Sequence, residues 1–306
     1  NLYKANIDPE RIVIMPGGKP TMHYAISLFG ETGAEIIYPD PGFPIYESMI
    51  NYTGAKGVPY NLIDKEDLSI NPEKILSLIN KKTRLLILNN PHNPTGSFTE
   101  KKVIDKLAKS LINFPHVVIL SDEIYDRLIF DNKEISTFFN YPELYDRLII
   151  LNGWSKTYAM TGWRLGWGVW PKNLIDHVFN FCVNSHSCIN TAAQYGAIAA
   201  LDGPEDHLKT MMKEFSIRRK LIVDGLRSLK GVNCSLPGGS FFVFPDIKNT
   251  GMNGVEFTEK CLNMAGVAVI PGTAFGKFAT NHVRLNFATS RENISKAIEK
   301  IDKILK

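Results

Sequence analysis

Through its first 170 residues the chain repeats one phrase: a short β-rich apolar run, then turn residues, then in most cases a segment with helical periodicity. A helix between two strands carries the chain back along the sheet, so the repeat predicts an α/β fold whose strands pair mostly in parallel. The runs Arg11–Met15, Glu35–Pro39, Gly57–Leu62, Arg84–Asn89, His116–Ser121, Leu148–Asn152 and Arg164–Trp170 give seven candidate strands. Between them, Pro20–Phe29 reads as a helix with proline in its first turn and Gly30 as its stop, and Asn71-Pro72 opens another. Thr99–Ile112 is the clearest case, because Val103, Ile104, Leu107, Leu111 and Ile112 recur at helical spacing with lysines opposite.

One connection breaks the phrase. The stretch between Asn152 and Arg164 contains Gly162 and has no room for a crossover helix, which a parallel return needs, so the seventh strand is expected to be antiparallel. Beyond Pro171, helices are expected around Leu174–Asn184, Thr191–Leu201 and Pro204–Leu229. Short strands then follow at Gly239–Phe244, Val267–Ile270 and Val283–Phe287, between helices at Gly254–Met264 and Glu292–Ile304. This suggests a large domain over residues 1–215 and a smaller α/β domain over residues 216–306.

Composition narrows the function. At 306 residues and 44% hydrophobic, the chain carries material for more than one core, which excludes disorder, collagen and coiled coil. The 35 basic and 31 acidic residues are interspersed, so nucleic acid is not implied. Apolar runs such as Leu85–Leu88 fall far below the ~18 residues of a spanning helix, and no membrane partner is expected. The four cysteines, Cys182, Cys188, Cys234 and Cys261, have no C-x-x-C spacing, which supports neither a zinc site nor a disulfide framework and points to a reducing cytoplasm. The chain opens on Asn1 without the regions of a signal peptide.

In open α/β sheets, ligands bind beyond the carboxyl ends of the strands. Those ends run here into Pro16-Gly17-Gly18-Lys19, Asn90-Pro91-His92-Asn93-Pro94-Thr95-Gly96, Ser121-Asp122-Glu123-Ile124-Tyr125 and Asn152-Gly153-Trp154-Ser155-Lys156, and Gly162-Trp163-Arg164 returns to the same edge. Each residue has an ordinary structural explanation: Asp122 as a helix cap, Lys156 as a solvated lysine, Gly17-Gly18 as a turn. Coincidence at four strand ends argues for a site. A phosphate-binding Walker loop fails, since Pro20 follows Lys19 where Ser or Thr is required. G-x-G-x-x-G, H-E-x-x-H and G-x-S-x-G are missing, and the seven histidines lack ligand spacing, so nicotinamide, metal and serine-hydrolase chemistries fall away.

The run Ser155-Lys156-Thr157-Tyr158-Ala159-Met160-Thr161-Gly162-Trp163-Arg164-Leu165-Gly166, taken with Asn90 to Gly96, Ser121 to Tyr125 and His282-Val283-Arg284-Leu285, resembles the class I/II aminotransferases of pyridoxal-phosphate fold type I. The resemblance runs in order from Arg11 to the C-terminus. It implies pyridoxal 5'-phosphate as cofactor, L-amino acid and 2-oxo acid as substrates, and a homodimer with a shared active site. It implies that Lys156 binds the cofactor covalently and moves a proton, and that Asp122 keeps the pyridine nitrogen protonated. Tyr125 and Asn93 then face the ring's phenolic oxygen, and Phe43 stacks on the ring. Gly18, Lys19, Ser155 and Arg164 hold the phosphate, at a helix start suited to anions. Arg284 grips the substrate carboxylate as a planar fork. Val269-Ile270-Pro271-Gly272 is taken as a strand end and turn.

Three departures accompany the resemblance. Gly153 stands where many relatives carry a hydroxyl residue, so one phosphate contact is expected to be lost. Phe179–Gln194 contains no arginine to bind a side-chain carboxylate, whereas Lys19 occupies the place where another aspartate-using branch puts a lysine with that job. Dicarboxylic and aromatic substrates both stay open. Relatives also usually carry about 80 or more further residues before the position of Ile12, so the sequence reads as a fragment or an abridged branch. The expected activity is amino-group transfer. The alternatives are a β-lyase or decarboxylase using the same cofactor, a truncated relative that binds cofactor without transaminating, and a DNA-binding regulator, for which no basic module precedes Ile12.

Overall fold

The computed structural model describes residue 3 and residues 5–306. Its first half alternates β1 (Ile12–Met15), α1 (Lys19–Phe29), β2 (Glu35–Asp40), α2 (Ile45–Thr53), β3 (Lys56–Asn61), α3 (Pro72–Leu78), β4 (Thr83–Asn89), α4 (Lys101–Leu111) and β5 (Val118–Asp122). The chain continues through β6 (Leu148–Gly153), the one-turn α5 (Trp154–Thr157), β7 (Gly166–Val169), α6 (Ile175–Ser185), α7 (Thr191–Asp202) and the long α8 (Asp206–Ser228). It closes with β8 (Phe242–Val243), α9 (Gly254–Ala265), β9 (Ile270–Pro271), β10 (Val283–Asn286) and α10 (Arg291–Leu305).

Seven strands form one sheet in the order β1-β7-β6-β5-β4-β2-β3, parallel from β6 to β3. As expected from its short connection, β7 runs antiparallel to both β6 and β1. Strands β2, β4 and β6 are buried almost throughout, because helices cover both faces. Alternate residues divide between the two layers: Ile36, Ile87, Leu120 and Leu151 pack with Met22 of α1, Ile50 of α2 and Val178 of α6. Ile37, Leu86, Ile119 and Ile150 pack with Ile75 of α3 and Leu107 of α4. Fully burying such a side chain stabilises the fold by about 1.5–3 kcal/mol.

Local chemistry sets the helix ends. Asn71 accepts the Glu73 and Lys74 N–H groups to start α3, and Asn253 with Glu256 forms a capping box on α9. A second, three-stranded sheet β8-β10-β9 shares a core with α8, α9 and α10, including Ile222, Phe257 and Phe287. Tyr125, Leu128 and Phe130 join that same core from the loop after β5. Residues 215 and 216 both lie within α8.

Four local expectations change. The seventh strand begins at Gly166 rather than Arg164, since Arg164 has φ +55°, which an extended strand does not allow. The Gly239–Phe244 strand shrinks to Phe242–Val243, because Gly239 bridges Ile129 instead. The Val267–Ile270 strand becomes Ile270–Pro271, the Val267 N–H being used to close α9 on the Cys261 carbonyl. Helix α2 was not anticipated: prolines and glycine between Pro39 and Pro44 mark a loop, and they hide the Tyr46/Ile50 pair that buries the helix behind them.

Candidate active site

The carboxyl ends of β1, β4, β5 and β6 open onto a cavity of about 310 Å³, lined by Gly18, Lys19, Phe43, Asn93, Asp122, Tyr125, Ser155, Lys156, Arg164 and Arg284. All ten residues singled out in the sequence therefore border one space, brought there by strand ends and, for Arg284, by β10 of the second sheet.

One end of the cavity is built for an anion. Gly18 caps α1, whose first N–H groups are free of intrahelical partners. Gly17 has φ +86°, and an added Cβ would lie 2.4 Å from Arg164 Nη2, so only glycine lets this guanidinium lie across the turn. Arg164 is itself held in a left-handed conformation, a strained state for a non-glycine residue, and donates from Nη1 to the Thr161 carbonyl at 3.0 Å. Ser155 adds a hydroxyl from α5.

The other end holds Asp122, the last residue of β5, wholly buried. Burial raises its carboxyl pKa to about 6, against the hydrogen bonds from Tyr46 and the Ile124 N–H, and the Lys156 charge. Tyr46, on the unanticipated α2, donates from Oη to Asp122 Oδ2 at 2.6 Å. The helix cap considered for Asp122 is not formed, since β5 runs into a turn; there Oδ1 accepts the Ile124 N–H at 3.2 Å. Asn89 ties the neighbouring loop in place, donating to the Asp122 carbonyl at 3.0 Å and accepting the Asn93 N–H at 2.9 Å.

Between the two ends stands Lys156, on the single turn α5 rather than in a loop. Its Nζ lies 5.8 Å from the Tyr125 ring centre and 5.5 Å from that of Phe241. Burial lowers its pKa, helped by the Arg164 and Arg284 charges and opposed by Asp122. A larger share of the amine is thus unprotonated at neutral pH. Burial raises the Tyr125 phenol, so it is a neutral donor. Arg284 is sandwiched between Phe242 and Phe275, each ring centre 4.5 Å from Cζ, and donates from Nη1 to Asn93 Oδ1 at 3.0 Å. Tyr46, Asn89, Phe242 and Phe275 escaped the sequence reading. Their only signal was aromatic or amide character beside a motif, and the contacts of Tyr46 with Asp122, Asn89 with Asp122 and Phe242 with Arg284 join distant parts of the chain.

Residues 1–301 match the family described as aminotransferase class I and II. The chain belongs to that family. Among class I/II aminotransferases it is 37% identical to a probable aspartate aminotransferase of Methanocaldococcus jannaschii over 99% of this chain and 79% of that one. It is 32% identical to aromatic-amino-acid aminotransferase 2 of Thermococcus litoralis over 98% of this chain and 77% of that one. The crystal structure of an aromatic aminotransferase from Pyrococcus horikoshii superimposes with a TM-score of 0.93 at 32% identity, over 98% of this chain and 80% of that one.

The family implies pyridoxal phosphate, and the aminotransferase cavity suits it. An anion cradle that a Cβ at Gly17 would obstruct lies at one end, and a carboxylate enclosed with few partners lies at the other. A lysine with a lowered pKa stands between them. This is the donor and charge set for a molecule that is a phosphate at one end and a pyridinium at the other.

Proposed function

We propose that the chain is a pyridoxal-phosphate-dependent aminotransferase moving the amino group of an L-amino acid to a 2-oxo acid, with an acidic side chain as the preferred substrate feature. The observation that carries the reading is the convergence of Lys156, Asp122 and the Gly18–Arg164 cradle on one cavity. When bound, the cofactor supplies an electron sink for the charge left on the substrate α-carbon. Lys156 would anchor the cofactor, and its Nζ would accept the substrate α-proton and return it. Asp122 would pair with the ring nitrogen's positive charge, and Tyr46, by donating to Oδ2, would hold that carboxylate in direction. Tyr125 and Asn93, which line the cavity, would face the ring's phenolic oxygen. Phe43 would cover the ring face, and the Lys19 and Gly18 N–H groups, Ser155 and Arg164 would hold the phosphate.

Arg284 binds the substrate α-carboxylate as a planar fork, and Asn93 fixes its approach. The Lys19 Nζ, 5.7 Å from the Phe43 ring centre at the cavity edge, is the group that supports binding of a second carboxylate. Relatives named for aromatic substrates keep an aromatic amino acid as the second reading. We further propose that residues 1–215 and 216–306 work as two domains around this cavity. The α6 and α7 region, with Phe179, Val183, Tyr195 and Ile198 exposed, is proposed as the face of a homodimer.

The test is the absorbance of the purified protein with pyridoxal phosphate, followed on adding L-aspartate, L-alanine or L-phenylalanine separately. A visible band of lysine-bound cofactor should form and be converted most readily by aspartate, and Lys156→Ala should abolish it. Transamination by Lys156→Ala at the wild-type rate would overturn the assignment. Release of pyruvate and ammonia from a cysteine conjugate without amine transfer would favour a β-lyase instead.

A further inference from the structure

Asp40 ends β2 outside the cavity, is 2% exposed, and is not among the residues that line the site. Its carboxylate accepts two main-chain N–H groups from a distant loop, Lys277 to Oδ2 at 3.1 Å and Phe278 to Oδ1 at 3.3 Å. The loop is shaped to admit it: at Gly276 an added Cβ would lie 2.0 Å from Asp40 Oδ1. A third bond runs between the same two segments, from the Gly42 N–H to the Phe275 carbonyl at 2.7 Å. Phe275 is the ring that closes one side of the Arg284 guanidinium, and Phe43, next to Gly42, lines the cavity. One short segment thus bears on both the cofactor-facing ring and the substrate-facing fork.

We propose that Asp40 is a positioning residue for the substrate carboxylate: by holding the 275–278 loop it keeps Phe275 against Arg284 and fixes the direction in which the fork is presented. The inference rests on Arg284 being the carboxylate-binding group. A carboxylate is suited to the task because it accepts both N–H groups at once, and hydrogen bonds to an ionised acceptor are stronger than those between neutral groups. The buried charge has Lys277 as its nearby cation and Glu47 as its nearby anion. Burial raises its pKa, and the two N–H groups counter this.

The experiment measures calorimetric affinity for maleate, a non-reacting dicarboxylate, on cofactor-loaded protein, alongside the KM and kcat of transamination. Asp40→Ala should weaken maleate about tenfold and raise KM similarly, the scale expected for losing one charged acceptor's bonds. The cofactor absorbance band should stay where it is, and kcat should stay within about twofold. Asp40→Asn, which keeps one acceptor, should lose about threefold, and it carries the test if Asp40→Ala does not fold. Phe275→Leu should weaken maleate comparably, and the double variant Asp40→Ala/Phe275→Leu should be no worse than the weaker-binding single variant. Unchanged maleate affinity in the folded Asp40 variants, or losses that multiply in the double variant, would overturn the proposal. Arg284→Lys separates the two levels. If it binds maleate like wild type, the carboxylate assignment itself fails and the Asp40 role falls with it. If it weakens maleate while Asp40→Asn does not, only the Asp40 role is lost.

Discussion

Asp122 is enclosed at the end of β5, and its folded-state pKa of about 6 lies above the ordinary carboxylate value of 3.8. A raised carboxylate pKa means that the folded state holds its proton more tightly than the unfolded chain, so folding loses stability as pH rises from 3.8 through about 6. Asparagine keeps the acceptor for Tyr46 without the charge. Asp122→Asn should therefore stabilise the cofactor-free protein by about 2 kcal/mol at pH 7.5, with the gain vanishing near pH 4, where both side chains are neutral. The same change should lower amine transfer at least about a hundredfold, because the ring nitrogen loses its counter-charge. Denaturant melts at the two pH values decide the matter; no gain at pH 7.5 would mean that the carboxylate is not destabilised by burial.

Among the elements, β7 does the most with the fewest residues. It lies antiparallel between β1 and β6, and a Cβ added at Gly166 would fall 2.4 Å from the Gly17 carbonyl carbon, which is backbone and cannot turn aside. Gly166→Ala should destabilise the protein by about 1–3 kcal/mol and, by pushing the Gly17 turn outward, weaken cofactor binding at least about tenfold. Equilibrium dialysis against pyridoxal phosphate reads this directly, and wild-type affinity in a folded variant would show that the turn is not held by β7. Helix α4 was legible because its buried Ile104, Leu107 and Leu111 repeat at helical spacing. Helix α2 was not, since the nine residues Ile45–Thr53 follow a loop rich in proline and glycine and bury only Tyr46 and Ile50.

At the scale of the molecule, two layers of helices on a seven-stranded sheet account for the cavity's position, and a third core carries Arg284 to its rim. Among the described residues no helix is long and apolar enough to cross a membrane. Phe179, Val183, Tyr195 and Ile198 of α6 and α7 are exposed, and a second copy is the proposed cover for them. Light scattering at micromolar concentration should report a dimer, and Tyr195→Glu with Ile198→Glu should shift it toward monomer at least about tenfold in dissociation constant. A wild-type monomer, or a dimer indifferent to both changes, would remove this face from consideration.

The alternation of runs and turns was enough to determine the mostly parallel sheet and the reversal of β7, because both follow from periodicity and connection length, which are local. The motifs at the strand ends were enough to name Lys156, Asp122, Asn93 and Arg164, since a strand end already says which edge a residue faces. What the tertiary structure alone decided is what those residues touch: Tyr46 against Asp122, Phe242 and Phe275 around Arg284, and Asp40 beneath the 275–278 loop. Such pairs join positions as much as 238 residues apart, and only the packed chain fixes their distance and the burial that sets their charge.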